Sequence, residues 1–192
     1  MNAKKLGFAL CGSFCTLERT LQTMEELAAQ GWEIQPIMSP ITYRTDTRFG
    51  TAEQWRSRVE ALCGRPIWHT IPQVEPIGPR ALLDLLLVAP CTGNTLGKLA
   101  CGITDTPVTM AVKAHLRNLR PVVLAVSTND GLGASARNIG TLLNCRNFYF
   151  VPFAQDDSLH KEASLVADLS RTQETLLAAL QGRQLQPLLL QK

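Results

Sequence analysis

The sequence predicts an α/β protein built on a three-layer, doubly wound parallel sheet. Short continuous apolar runs, which are typical of buried strands, alternate along the chain with amphipathic helical patterns. Glycine or small polar residues follow most of these runs, as expected where a parallel strand turns into the next helix. Sheets of this kind bind ligands outside the carboxyl ends of their strands, so the residues after each run form the candidate site.

The predicted strands are short and rich in aliphatic residues. The third is almost unbroken, Leu-Leu-Asp-Leu-Leu-Leu-Val-Ala, which predicts a central strand covered on both faces. Their alternation with helices indicates a flavodoxin- or Rossmann-like arrangement. The segments predicted as strands are residues 6–11, 32–38, 82–89, 121–126 and 148–151.

Apolar residues at helical spacing predict the helices between these strands. The last is predicted to be one long amphipathic helix, and residues 41–51 an exposed loop. The whole chain, 1–192, is predicted to be a single domain with a C-terminal tail, 181–192, outside its core. The predicted helices are residues 16–28, 52–62, 94–103, 106–117, 132–143 and 159–180.

Composition and charge exclude several classes of function. Nineteen basic and sixteen acidic residues give a net charge of +3, without the dense basic run that nucleic-acid binding needs. The longest apolar runs fall short of the about 20 residues that span a bilayer, so no membrane segment is expected. Six cysteines without a CxxC pair, and an N-terminus that leads directly into a short apolar run, favour a cytoplasmic protein with reduced thiols.

The first strand is followed by Gly12, Ser13 and Thr16. Gly12 allows a tight turn, and the two hydroxyls lie beside the free amides of a helix N-terminus, a combination that suits a bound phosphate. The alternative is that Ser13 or Thr16 only caps the helix. The turn lacks a GxGxxG pattern, and Ser39 rather than an acidic residue follows the second strand, so an NAD site on this chain is disfavoured.

The central strand leads into a polar, glycine-containing segment. This segment offers hydroxyls, an amide and a flexible glycine at a helix start, which can hold a phosphate or the edge of an isoalloxazine ring. Capping by Thr92 or Asn94 is the alternative, although four such residues exceed what one cap requires. The segment consists of Pro90, Cys91, Thr92, Gly93, Asn94 and Thr95.

The fourth strand is followed by Ser127, Thr128, Asn129 and Asp130. Asn129 or Asp130 suits a left-handed turn, and Gly131 would let a ligand approach the backbone closely. An ordinary turn with a helix cap is the alternative. Because parallel strands end at the same edge, we expect the three segments to line one crevice for a cofactor or a phosphorylated ligand.

The remaining reactive residue types are expected to be structural. His69, His115 and His160 have no cysteine or histidine partner at metal-ligand spacing, so no metal site is expected. The same histidines are not placed for acid–base work and are expected to be structural or solvated. Cys91 begins a helix but has no neighbouring histidine or cation, so it is expected to be a buried cysteine rather than a nucleophile.

These segments resemble the flavin-containing decarboxylase-like (HFCD) flavoproteins. The resemblance rests on Gly12-Ser13, on residues 90–95 followed by Lys-Leu-Ala at 98–100, and on Gly-Ile-Thr-Asp at 102–105. It implies a homo-oligomer, a trimer or a multiple of trimers. It also implies that an FMN-like molecule is surrounded by Ser13, Ser39, Thr92, Asn94, Thr95 and residues 127–129.

Segments 89–118, 123–157 and 179–190 resemble, more narrowly, one spore-specific branch of that family. This resemblance implies one component of a two-component oxidoreductase in the mother cell of a sporulating bacterium. This component would act with a separate A subunit, which binds NAD(P), to oxidise a dihydro-ring dicarboxylate to pyridine-2,6-dicarboxylate. Candidates for pairing with the substrate carboxylates, each with solvated helix surface as the alternative, are Lys98, Lys113 and Arg137.

Two departures from the family pattern bear on function. The decarboxylases carry a catalytic histidine shortly before the helix that leads into the central strand, where residues 73–79 here are Gln-Val-Glu-Pro-Ile-Gly-Pro. Asp130 follows a loop that is close to Ala-Met-Asn in the family, and its charge would oppose a phosphate unless it points away or caps a helix. Two other functions therefore stay open: a flavin-dependent decarboxylase or prenyltransferase relative, and a non-catalytic component that binds FMN or phosphate.

Overall fold

A computed structural model describes residues 4–191, in which seven strands form one mixed sheet flanked by helices. The strands are β1 (Lys5–Leu10), β2 (Glu33–Met38), β3 (Leu85–Cys91), β4 (Val122–Thr128), β5 (Phe148–Phe150), β6 (Phe153–Ala154) and β7 (Leu165–Ala167). The helices are α1 (Leu17–Ala29), α2 (Pro40–Arg44), α3 (Ala52–Cys63), α4 (Ile71–Val74), α5 (Gly93–Ala100), α6 (Pro107–Leu116), α7 (Ala134–Leu143) and α8 (Thr172–Leu180).

The first five strands are parallel and lie in the order β2-β1-β3-β4-β5. β1 pairs with both β2 and β3, so the chain passes from one half of the sheet to the other at this point. In doubly wound sheets such a switch point opens a crevice outside the carboxyl ends of the two central strands. The predicted parallel α/β sheet is thereby confirmed.

The central position of β3 follows from its composition. All seven of its residues are buried, and it pairs with β1 on one side and β4 on the other. Burying a large aliphatic side chain contributes about 1.5–3 kcal/mol, which favours the middle of the sheet for the most aliphatic strand. The sequence prediction for this strand is confirmed, with bounds shifted by two or three residues.

Capping chemistry sets the ends of two of the helices, α3 and α6. Thr51 accepts a hydrogen bond from the Gln54 amide, and the Gln54 side chain accepts one from the Thr51 amide, which together start α3. The same helix ends at Gly64, whose φ of 62° is left-handed. α6 starts similarly, with Thr106 as its cap and Pro107 in its first turn.

The prediction of one helix over residues 159–180 is wrong. Residues 165–167 form β7, an antiparallel neighbour of both β4 and β6, because Leu165 and Ala167 are buried on the sheet while Val166 is half-buried. The Asp168 side chain accepts a hydrogen bond from the Ser170 amide and starts a new helical turn, so α8 covers only the last nine residues of the predicted helix. The β6–β7 pair makes the sheet mixed, which the sequence did not predict.

One further segment differs from its sequence prediction, and the C-terminal tail makes contacts that were not predicted. Residues 41–51 do not form a loop throughout, since Ser39 accepts from the Thr42 amide and begins the short helix α2. The tail, predicted to lie outside the core, has no fully buried residue among 181–191, although it runs along the sheet. The Gln184 side chain bonds both backbone groups of Phe150, and the Phe153 amide donates to the Leu188 carbonyl oxygen. None of the helices among residues 4–191 is long and apolar enough to cross a membrane.

Candidate functional site

A crevice of about 620 Å³ opens at the carboxyl ends of β1, β3 and β4. Its volume falls within the range of about 300–1,000 Å³ that small-molecule sites occupy. The three strand ends that the sequence singled out therefore meet, as expected for parallel strands. The sequence-predicted residues that line the crevice are Gly12, Ser13, Thr16, Thr92, Gly93, Asn94, Ser127, Thr128 and Asn129.

Three hydroxyl side chains, Ser13, Thr16 and Ser127, form what we call the hydroxyl cluster. Ser13 Oγ lies 2.9 Å from Ser127 Oγ, which joins the end of β1 to the end of β4. Thr16 Oγ1 donates to the Ser13 carbonyl oxygen at 2.9 Å and lies 3.1 Å from Ser13 Oγ. Neither Ser13 nor Thr16 makes a side-chain capping bond, so the capping alternative is wrong for both. Several hydroxyls that can turn toward one point suit an anion with several acceptor oxygens.

The segment after β3 divides its work between capping and the crevice. The Thr92 hydroxyl accepts a hydrogen bond from the Thr95 amide at 3.4 Å, so here the capping alternative is correct. Asn94 is exposed and has no side-chain hydrogen bond to another described residue, which leaves its amide available to a ligand. A Cβ at Gly93 would lie 2.7 Å from the oxygens of Thr128, Asp130 and Ser135, closer than packed atoms tolerate. Glycine is thus required where α5 meets the end of β4.

Asp130 lines the crevice and is held by contacts at the start of α5 and α7. Its carboxylate accepts a hydrogen bond from the Thr128 hydroxyl and lies over Gly93 at the start of α5. Its carbonyl oxygen accepts from the amides of Gly133 and Ser135 and so leads into α7. Among the described residues, none of the three cluster hydroxyls bonds to Asp130. Because Asp130 lines the same crevice, its charge still bears on a phosphate bound there, although it makes no hydrogen bond to the cluster.

The other side of the crevice comes from segments that the sequence analysis missed. Arg48 and Phe49 extend from the turn between α2 and α3, and Asp156 and Lys161 from the connection between β6 and β7. Lys161 Nζ lies 3.2 Å from Asp156 Oδ2. A hydrogen bond from the Ser164 hydroxyl lowers the pKa of the Asp156 carboxyl, and Lys161 lowers it further by a smaller amount. These segments carry no strand-end signature, so only the fold brings them to the site.

Three of the residues predicted to bind the cofactor do not line the crevice. Ser39 caps α2 and bonds the Thr42 hydroxyl at 2.8 Å. Thr95 is buried and donates to Cys11 Sγ at 3.3 Å, beneath the crevice floor. Pro90 lines a smaller cavity below the hydroxyl cluster, together with Thr16 and Ser127. Ser39, Pro90 and Thr95 are therefore not placed for direct contact with a ligand in the crevice.

The basic residues proposed for carboxylate pairing also lie elsewhere. Lys98 is bound to Asp105 Oδ1 at 2.8 Å on the surface of α5 and its following turn. Arg137 is an exposed residue of α7, and Lys113 faces grooves beside α6. Lys113 and Arg137 are exposed helix residues, which agrees with the alternative of solvated helix surface, whereas Lys98 is paired with Asp105.

The histidines and the buried cysteines have structural surroundings. His115 is buried and bonds the Pro121 carbonyl oxygen at 3.1 Å, His69 stacks on Tyr43 with ring centroids 3.8 Å apart, and His160 is exposed beside Asp157. None of the three lines the crevice. Cys91 is buried as predicted, and burial raises the pKa of its thiol well above the ordinary value. Within residues 4–191, no cluster of three or more metal-ligating side chains is found.

Comparison with known proteins agrees with the crevice and the fold around it. The Flavoprotein family matches residues 1–151. The chain belongs to the flavoprotein family. The B subunit of dipicolinate synthase from Bacillus subtilis is 42% identical over 191 residues, which covers 100% of this chain and 96% of the relative.

Two solved structures extend this comparison. The crystal structure of the dipicolinate synthase B subunit from Bacillus halodurans is 42% identical with a TM-score of 0.91, and the match covers 100% of this chain and 98% of that chain. The FMN-dependent cysteine decarboxylase TvaF from thioviridamide biosynthesis is 25% identical with a TM-score of 0.56, over 73% of this chain and 85% of that one. The resemblance on which the sequence analysis relied is thereby confirmed. Within the family, the chain groups with the dipicolinate synthase B subunits.

Proposed function

We propose that this chain is the B subunit of a dipicolinate synthase. It acts with a separate, nicotinamide-binding A subunit to oxidise a dihydrodipicolinate-level intermediate to pyridine-2,6-dicarboxylate. The observation that carries the proposal is the end-to-end match, at 42% identity, to dipicolinate synthase B subunits. A homo-oligomer, a trimer or a multiple of trimers, in the cytoplasm of the spore-forming mother cell belongs to the same proposal.

The residues of the crevice fit an FMN molecule. The hydroxyl cluster of Ser13, Thr16 and Ser127 would hold the phosphate through neutral donors. Asn94 and Asn129 would offer amides to the ring system, since both line the crevice and are exposed. The close approach at Gly93 is made by the side-chain oxygens of Thr128, Asp130 and Ser135, so the lining at the start of α5 is polar. When bound, FMN would supply a two-electron acceptor beside the substrate.

The acid–base groups that line the crevice are Asp130, Asp156 and Lys161, and the last two are paired with each other. No histidine lines the crevice. Residues 73–79, where the decarboxylases of this family carry their catalytic histidine, form the end of α4 and a following turn, outside the crevice. Decarboxylation is therefore not the function that this geometry supports. The second candidate function is that of a non-catalytic subunit, which binds FMN or phosphate in the crevice without itself transferring electrons.

The test of the proposal is dipicolinate formation, followed by ultraviolet absorbance, from the A subunit alone, from this chain alone and from their mixture. Product is expected from the mixture at a rate well above the sum of the two separate rates. The visible spectrum of this chain, recorded beforehand, separates the two candidates. A flavin band that bleaches on adding substrate supports redox chemistry on this chain, and a colourless chain that is still required supports the binding role. No gain in product on mixing would contradict the assignment.

A further inference from the structure

Two cations line the crevice among the described residues, and they differ in how far their charge is neutralised. Lys161 lies 3.2 Å from the Asp156 carboxylate. Arg48 has no carboxylate within ion-pair distance anywhere in residues 4–191. Arg48 therefore offers the crevice an uncompensated guanidinium.

The turn that carries Arg48 is closed by the backbone on both sides of it. The Thr47 amide donates to the Gly50 carbonyl oxygen at 3.0 Å, and the Gly50 amide donates back to Thr47 at 3.1 Å. The Asp46 carboxylate accepts from the Ala52 amide at 2.8 Å, which ties the turn to the start of α3. A turn held at both ends loses little conformational entropy when its tip binds a ligand. Arg48 and Phe49 form that tip.

The two side chains of the tip present matched chemistry. The Arg48 guanidinium carbon lies 4.9 Å from the centre of the Phe49 ring, and both side chains line the crevice. Phe14, which follows β1, adds a second aromatic side chain to the same lining. A guanidinium binds a carboxylate through two parallel hydrogen bonds, and an aromatic face suits a flat ring. This pairing matches a planar ring that carries carboxylates.

We propose that Arg48 binds a carboxylate of the ring dicarboxylate substrate and so selects dicarboxylates over monocarboxylates. The inference rests on the proposed function, and it assigns the specificity of that site to the α2–α3 turn rather than to Lys98, Lys113 or Arg137. Lys161, partly neutralised by Asp156, has a secondary part in this selection.

The test compares the binding of pyridine-2,6-dicarboxylate and pyridine-2-carboxylate to the complex of this chain with the A subunit, by titration calorimetry. In the wild-type complex the dicarboxylate is expected to bind more tightly. Arg48→Gln is expected to weaken dicarboxylate binding about 10-fold and monocarboxylate binding much less, because a charge-assisted contact is lost at an exposed side chain. Arg48→Lys keeps the charge but not the paired hydrogen bonds of a guanidinium, so its affinity for the dicarboxylate is expected to lie between those of the wild type and Arg48→Gln.

Arg44→Gln is the matched control, because Arg44 is an exposed arginine at the end of α2 that does not line the crevice. Steady-state assays of the mixture should give a raised KM for Arg48→Gln with a smaller change in kcat. If the wild-type mixture forms product but the ratio of dicarboxylate to monocarboxylate affinity is unchanged in Arg48→Gln, the role of Arg48 is overturned and the proposed function stands. A wild-type mixture that forms no product, or a wild-type complex that binds neither ligand, would overturn the proposed function as well.

Discussion

His115 should make the stability of this protein fall as the solution becomes acidic. Its Nε2 lies 3.1 Å from the Pro121 carbonyl oxygen and donates to it, whereas Nδ1 is buried and has no hydrogen-bond partner among residues 4–191. Protonation therefore places a charge and an unpaired N–H in the core behind β4. Burial lowers the pKa of His115 from 6.5 to about 4.

The sign and size of the effect follow from proton linkage. Between the lowered pKa of the folded state and the ordinary pKa of the unfolded state, the unfolded chain binds more protons, so stability decreases as the pH falls. From about pH 7.5 to about pH 5, a histidine with these two pKa values costs about 2 kcal/mol of unfolding free energy. The loss should be nearly complete only below the folded-state pKa of about 4.

The measurement is urea unfolding at both pH values for the wild type and for His115→Gln, which can still donate to Pro121 but does not titrate. Carboxylates whose pKa is lowered, among them Glu18 and Asp156, also contribute less to the unfolding free energy as the pH falls. Their contribution changes equally in the two proteins and cancels in the comparison. The wild type is expected to lose about 2 kcal/mol more than the variant between the two pH values. Equal losses would refute the assignment of a buried, neutral His115.

Two further substitutions test the packing that shapes the site. Gly93→Ala should destabilise the protein by about 1–3 kcal/mol and weaken ligand binding, because its Cβ would press on the oxygens of Thr128, Asp130 and Ser135. The control is Gly140→Ala in α7, where a Cβ meets nothing within 4 Å, and this substitution should raise the melting temperature. Gln184→Ala should cost about 1–3 kcal/mol in urea unfolding, since it strands both backbone groups of Phe150; a loss no greater than in the exposed control Gln181→Ala would show that the tail contributes nothing to the sheet.

Local pattern was sufficient to predict the parallel part of the fold. β3 is buried along its whole length, and a strand of that composition has one favourable position in a sheet, the centre. The antiparallel β6 and β7 were missed because two- and three-residue strands have too few side chains to show a period. Residues 165–167 alternate correctly for a strand, but three positions inside a longer apolar pattern also match a helix.

The candidate site was predictable where it depends on strand ends. Ser13, Thr16 and Ser127 meet because parallel strands end at one edge of the sheet, which topology alone dictates. Arg48 and Lys161 were not predictable, because each comes from a connection whose path depends on tertiary packing. Lys98 was misassigned for a related reason: its partner, Asp105, lies seven residues away and becomes a neighbour only through the turn after α5.

The hydroxyl cluster is expected to hold the phosphate of a bound flavin. The most direct test of this expectation is the dissociation constant of FMN and of riboflavin, which lacks the phosphate, for the wild type, for Ser13→Ala and for the surface control Ser57→Ala. FMN should bind the wild type and the control more tightly than riboflavin, and Ser13→Ala should lose about 10-fold in FMN affinity with little change for riboflavin. Equal binding of the two flavins to the wild type, or an unchanged preference for FMN in Ser13→Ala, would contradict the account.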